Sequence, residues 1–303
     1  MNKSSLGNSL LLLLTAIVWG VAFVAQSVGM DYIGPFTFNS VRSVLGAVVL
    51  IPVVLVLRKK KLKACDMTRK ELKAYDKNTI IGGCCCGVLL CAASNAQQMG
   101  IVYTTVGKAG FITALYVVLV PVLGLFMKKR VQWLVWISVC LSVAGLYLLC
   151  LSGGGFKLQY GDSLVLICAL LFSFHILVID HFSVKADGVT MSCIQFFVSG
   201  FISGVLMLIF EKPSLSAIMS AWLPIGYAGI FSCGVGYTLQ IVGQKNVDPT
   251  VASLILCLES VVSALAGWLL LNQVLSPREM LGCVLMFTAI VLAQLPVKKR
   301  MVP

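Results

Sequence analysis

The chain reads as an all-α membrane protein, ten transmembrane helices in two inverted five-helix repeats. Three observations lead there. Of its 303 residues, 59% are hydrophobic and 11% charged, with a mean hydropathy of +0.99, a balance soluble domains of this length do not show. The apolar residues collect into ten stretches, each about as long as a bilayer is thick and able to satisfy its own backbone as a helix. The second five stretches echo the first.

The predicted spans run 10–30, 36–57, 79–100, 109–127, 133–151, 163–179, 191–210, 223–243, 250–271 and 279–295. The first follows Lys3 as a signal peptide would, but no small-x-small cleavage site follows it, so it is expected to be a retained helix. The second ends in the basic run Arg58, Lys59, Lys60 and Lys61. Residues 67–76 then suit a short amphipathic surface helix before the third span. The third carries Asn95, Gln97 and Gln98 near its end. The fourth holds Tyr116 and Pro121, and Lys128, Lys129 and Arg130 separate it from the fifth. Glycines 153–155 mark a flexible linker over 152–160. The sixth span contains His175, and the eighth carries Tyr237 and Gln240. The ninth contains Glu259, and the tenth runs into Lys298, Lys299 and Arg300.

A formal net charge of +12 raises nucleic acid as a partner, but its placement argues against it. With ten spans, eighteen Lys and Arg residues fall on one side and four (Lys108, Lys157, Lys212, Arg278) on the other. That bias predicts a multi-pass protein of the cytoplasmic membrane with both termini cytoplasmic. The basic runs are then orientation signals and contacts for anionic lipid, and no nucleic-acid partner is expected. All of the twelve cysteines but Cys65 lie in or at the end of an apolar span. Consecutive Cys84, Cys85 and Cys86 point three ways around a helix and cannot converge on one ion. They read as packing residues, and neither metal nor cofactor is expected.

The repeat shows as constant offsets. Shifted by 154, Gly7, Gly34 and Gly46 fall on Gly161, Gly188 and Gly200. Shifted by 143, Gly83, Gln97, Gly100, Ala109 and Gly124 fall on Gly226, Gln240, Gly243, Ala252 and Gly267. The halves are therefore read as 7–151 and 161–295. An odd number of spans per half inverts the second, as in many carriers with a central site.

Several local patterns resemble a known family. Trp19 and Gly20 lie in the first span, and Phe38, Asn39, Ser40, Val41 and Arg42 open the second. The run from Phe111 to Tyr116 leads to Pro121, Leu258 to Val261 lie in the ninth span, and Leu275 to Glu279 precede the tenth. Together they resemble the EamA-type members of the drug/metabolite transporter superfamily over nearly the whole chain. The resemblance implies secondary transport, mostly efflux, of small metabolites, amino acids or drugs. Two positions depart from it. Ser260 stands where members usually carry proline, so no proline kink is expected there, and Gln273 stands where glutamate is common.

Six residues are candidates for binding substrate: Trp19, Arg42, Gln97, Tyr116, Gln240 and Glu259. Arg42 lies roughly 10 Å from its end of the membrane, where a bare charge is costly and a fork-shaped cation suits carboxylate or phosphate. The alternative is a structural pair. Glu259 lies ~14 Å deep and is the first candidate for proton coupling or for meeting an amine. Tyr116 is its counterpart at offset 143, and Gln97 that of Gln240. The amides serve equally as glue between helices. His175 is a candidate proton relay, or a packed membrane histidine.

These features point to a secondary transporter, not an enzyme: an exporter of a small organic metabolite, such as an amino acid or drug-like compound, by alternating access, either proton-coupled through Glu259 or by facilitated exchange. Its partners would be solute and membrane lipid, and the carrier a monomer or homodimer. A membrane enzyme acting on lipid-linked substrates would need clustered His, Asp or Ser, but the chain has two histidines, His175 and His181. A channel would need a re-entrant filter, and no spare half-length apolar segment is present.

Overall fold

The computed structural model describes residues 3–64, 69–103, 106–126, 133–150, 160–245, 247–272 and 276–294. Among them there is helix and no strand. In order these are α1 (Lys3–Gly29), α2 (Pro35–Ala64), α3 (Arg69–Ile101), α4 (Val106–Thr113), α5 (Tyr116–Phe126), α6 (Trp133–Cys150), α7 (Tyr160–Ser183), α8 (Gly188–Phe210), α9 (Leu215–Ser220), α10 (Trp222–Gly226), a π-helical stretch (Tyr227–Tyr237), α11 (Thr238–Gly243), α12 (Pro249–Leu256), α13 (Leu258–Leu271) and α14 (Pro277–Gln294).

Seven segments are long and apolar enough to cross a membrane: Leu6–Gly29, Pro35–Lys59, Lys70–Ile101, Tyr160–Ser183, Gly188–Phe210, Trp222–Gly243 and Pro249–Leu270. The fourth, fifth and tenth expected spans hold the shorter apolar helices Tyr116–Phe126, Trp133–Gly145 and Met280–Ala289. Of the linker 152–160, residues 152–159 lie outside the described residues, as do the runs Lys128–Lys129–Arg130 and Lys298–Lys299–Arg300, Lys157 and Gln273, while Tyr160 opens α7. Residues 69–76 form no separate surface helix. They are the opening turns of α3, which continues unbroken to Ile101 because nothing between carries proline or a competing cap.

Local signals set the helix starts. Asp187 caps α8 by accepting from Thr190 N at 2.9 Å, and Asp248 caps α12 from Thr250 N at 2.8 Å, with Pro249 next. Asn272 closes α13 in the left-handed conformation, φ 55°. α2 is capped from elsewhere. Glu211, just past α8, accepts from Phe36 N at 2.9 Å, Thr37 N at 2.8 Å and the Thr37 hydroxyl. A carboxylate there meets both the open N–H groups and the positive end of the helix dipole.

The helices pack in pairs that exchange when the halves are exchanged. α2 packs on α8 and α6 on α14. α3 packs on α7 as the π-helical stretch packs on α1, and α1 meets α13 as α7 meets α5. Arg58 pairs with Asp76 at 3.0 Å, and Thr79 accepts from Asp187 N at 2.9 Å. Asn8 donates to Lys245 O. These contacts gather the exposed Arg58, Lys70, Lys185 and Lys245 at one end of the bundle, here called the basic end. α1 starts at that end. α7 starts at the opposite one, where a Cβ on Gly100 would lie 2.9 Å from Gly161 O. Close approaches of this kind let helices associate where no hydrophobic effect drives them together.

Candidate functional site

Two helical rods break at matching places. α4 ends at Thr113 and α5 resumes at Tyr116; α12 ends at Leu256 and α13 resumes at Leu258. At offset 143, Val106 and Thr113 fall on Pro249 and Leu256, so α4 and α12 match from end to end. The sequence predicts both rods unbroken. The second breaks without the family's proline: Ser260 Oγ donates to Cys257 O at 2.8 Å, and Cys257 Sγ to Leu254 O at 3.0 Å. Side-chain donors thus bond carbonyls at the interruption, a way Ser and Cys bend helices in lipid.

The breaks bring Tyr116 and Glu259 together. The tyrosine hydroxyl donates to Glu259 Oε1 at 2.9 Å. Glu259 is 3% exposed and Arg42 4% exposed. Around them lies a cavity of about 30 Å³, room for about two waters. A solute of more than that size enters only when the walls part. Trp19, Arg42, Gln97, Tyr116, Gln240 and Glu259 all line it, coming from α1, α2, α3, α5, α11 and α13. Phe23, Phe172 and Tyr237 supply aromatic wall.

Each lining residue has a local cause. Trp19 reaches the π-helical stretch, where its Nε1 donates to Ser232 O at 3.4 Å and its ring lies 4.4 Å from that of Tyr237. A Cβ on Gly236 would come within 2.6 Å of Trp19 Nε1, so only glycine admits the indole. Thr15 Oγ1 donates to Gly236 O at 3.2 Å, and Tyr227 OH to Val18 O at 3.1 Å. α1 therefore bonds carbonyls along a stretch whose wider turns weaken its own ladder. Arg42 lies over the Phe38 ring, 5.5 Å from its centroid, and its Nε has no hydrogen-bond partner. It forms no ion pair among the described residues. Gln97 donates to Thr113 Oγ1 at 3.1 Å, while Gln240 Oε1 and Gln26 Oε1 are buried without partners.

His175 does not line the cavity. It is buried behind Tyr237, its Nε2 3.1 Å from Gln195 Oε1 and its ring 6.0 Å from the tyrosine ring. Asn95 and Gln98 are also absent from the lining. Asn95 joins Asn39 at 2.9 Å and Ser203 at 2.9 Å across three helices, and Gln98 donates to Gln26 O at 3.1 Å. Phe174 is 41% exposed on the outside of the bundle. The sequence reading missed Gln26, Thr113 and Ser232 as lining residues. Isolated hydroxyls and amides are common in membrane helices, and only knowledge of the break would have aimed Thr113 inward. Among the described residues no group of three His, Cys, Asp or Glu side chains is set to hold a metal ion.

The model of the EamA-like transporter family matches residues 7–151 and 159–295. The chain belongs to that family. It is 29% identical over 288 residues to an uncharacterized transporter of Archaeoglobus fulgidus, covering 94% of this chain and 85% of that one. It is 23% identical over 284 residues to the uncharacterized inner membrane transporter YedA of Escherichia coli K12, covering 92% and 88%. A crystal structure of a protein 17% identical superposes with a TM-score of 0.76, covering 95% of this chain and 96% of that one; at that identity the likeness speaks for fold alone. The EamA-like chain is thus a multi-pass membrane transporter, and the family and its named relatives are transporters, not enzymes.

Proposed function

We propose that this protein exports a small organic metabolite across the cytoplasmic membrane by alternating access, with proton coupling through Glu259. One observation carries the reading. Two broken helices at equivalent positions join through Tyr116 and Glu259 at a cavity that also holds a buried, unpaired Arg42. The buried Arg42 suits the solute's carboxylate, and the aromatic walls suit its ammonium and apolar body, which leaves Glu259 for the proton. An amino acid is the simplest such solute. Ten spans, halves at 7–151 and 161–295, and cytoplasmic termini belong to the same reading, supported by the exchangeable helix pairs and the basic end. His175 reaches the cavity through Tyr237 and would serve as a second proton station. The carrier works as a monomer or homodimer.

Counterflow in proteoliposomes with a mixed metabolite panel, read by mass spectrometry, tests this. Wild type is expected to accumulate amino acids selectively. Glu259→Gln is expected to keep counterflow and lose pH-driven uptake. Loss of both would make Glu259 a solute or structural residue, and no accumulation by folded wild type would remove amino-acid carriage.

A further inference from the structure

Gln240 lines the cavity, and Gln244 follows it one turn on. Gln244 N donates to Gln240 O at 2.8 Å, so the two residues are one helical turn apart and their side chains share a face. Both are 1% exposed. Gln240 Oε1 has no hydrogen-bond partner, and neither amide atom of Gln244 has one. An amide buried that way gives up its water and gains nothing in return, so such a group calls for a partner in another arrangement of the molecule.

The surroundings say which arrangement. α11 ends at the basic end, and the start of α1 lies over it. Asn8 donates to Lys245 O, and a Cβ on Gly243 would lie 3.1 Å from Asn8 O. The contact between α1 and α11 therefore covers the end of α11 beside Gln244. The other half has no such amide pair: at offset 143 the counterparts are Gln97, already bonded to Thr113, and apolar Ile101. Gln244 is thus not part of a repeated scaffold.

We propose that Gln244 is a second solute-contacting residue, one turn from the central cavity on the basic-end route. As α1 and α11 part, its amide offers one donor and one acceptor to the solute's polar head, a group such as a carboxylate beside an ammonium, or a carboxamide. This rests on the carrier reading above.

The test uses the full-length protein in vesicles of both orientations. Gln244→Cys is treated with a membrane-impermeant thiol reagent, and labelling is resolved by site with mass spectrometry. Native Cys86, fully buried, is the internal reference. The expected result is labelling from the basic-end side alone, at least tenfold above Cys86. In parallel, Gln244→Leu is expected to slow counterflow of an amino-acid mixture about tenfold with Tm unchanged or raised, because the amide bonds nothing in the closed form. No labelling, equal labelling from both sides, unchanged counterflow, or a Tm lowered by several degrees overturns the proposal. Absent wild-type counterflow with one-sided labelling intact would instead remove the amino-acid reading and leave the basic-end opening standing.

Discussion

The two broken rods occupy equivalent positions but are held differently. The second is clamped and stitched. Gly20 of α1 lies against it so closely that a Cβ would meet Val262 Cβ at 2.5 Å and Glu259 O at 2.7 Å, and Ser260, Ser263 and Cys257 each bond a carbonyl within it. The first is bare: Val117, Val120 and Ala114 stand at those three positions, and Leu115, Val117 and Val118 bond backbone carbonyls three residues back. At offset 154 the counterpart of Gly20 is Phe174, which faces outward. The half that carries the carboxylate is the half whose backbone is fixed. Under the proposed coupling, the acid is the partner whose geometry is set, whereas its tyrosine partner needs only to reach it.

Substitutions can break this contrast. The largest effect is expected for Gly20→Leu, which has no space beside Val262 and should lower stability by roughly 3 kcal/mol, read as Tm in detergent. Phe174→Leu at the counterpart should shift Tm little. Next comes the contrast between the caps of α2 and α8. Glu211→Ala removes three hydrogen bonds at once and should cost roughly 2–3 kcal/mol, against about 1 kcal/mol for Asp187→Ala at the locally capped helix. Ser260→Ala removes one bond at the second break and should cost about 1 kcal/mol. Ser260→Pro removes the Ser260 N–H bond to Cys257 O as well, and should lower Tm at least as far as Ser260→Ala. Tyr116→Phe is expected to have the smallest stability effect, below about 1 kcal/mol. Proton coupling, measured as pH-driven uptake against counterflow, should weaken in Tyr116→Phe, and an unchanged ratio would show that the tyrosine does not tune the acid.

Much of this was legible in the sequence. Helical class followed from hydropathy, and the 143-residue offset matched Tyr116 with Glu259 before any geometry was known. The lining role expected of Gln97 and Gln240 rested on the same match. What stayed hidden has physical reasons. A helix break without proline leaves no composition signal, because the donors that hold it, Ser260 and Cys257, are also ordinary packing residues. The π-helical stretch is bonded by Thr15 and Trp19 of α1, more than two hundred residues away. The cap on α2 comes from Glu211, a residue that reads as a loop acid until α8 is laid beside α2. His175 stands out as a relay candidate because imidazole is rare in lipid, while its position behind Tyr237 is decided by how α7 and α8 pack.

The π-helical stretch has a consequence for energetics. Its counterpart in the first half, residues 84–94 of α3, is ordinary α-helix. In a carrier of the kind proposed, the two end states are related by letting the halves trade conformations. Were the halves identical, the two states would be degenerate and the empty protein would sit evenly between them. Eleven residues wound more loosely in one half remove that degeneracy. In the carrier proposed, the empty protein would favour one face of the membrane, and its apparent affinity from that face would exceed that from the other by the ratio of the two empty populations.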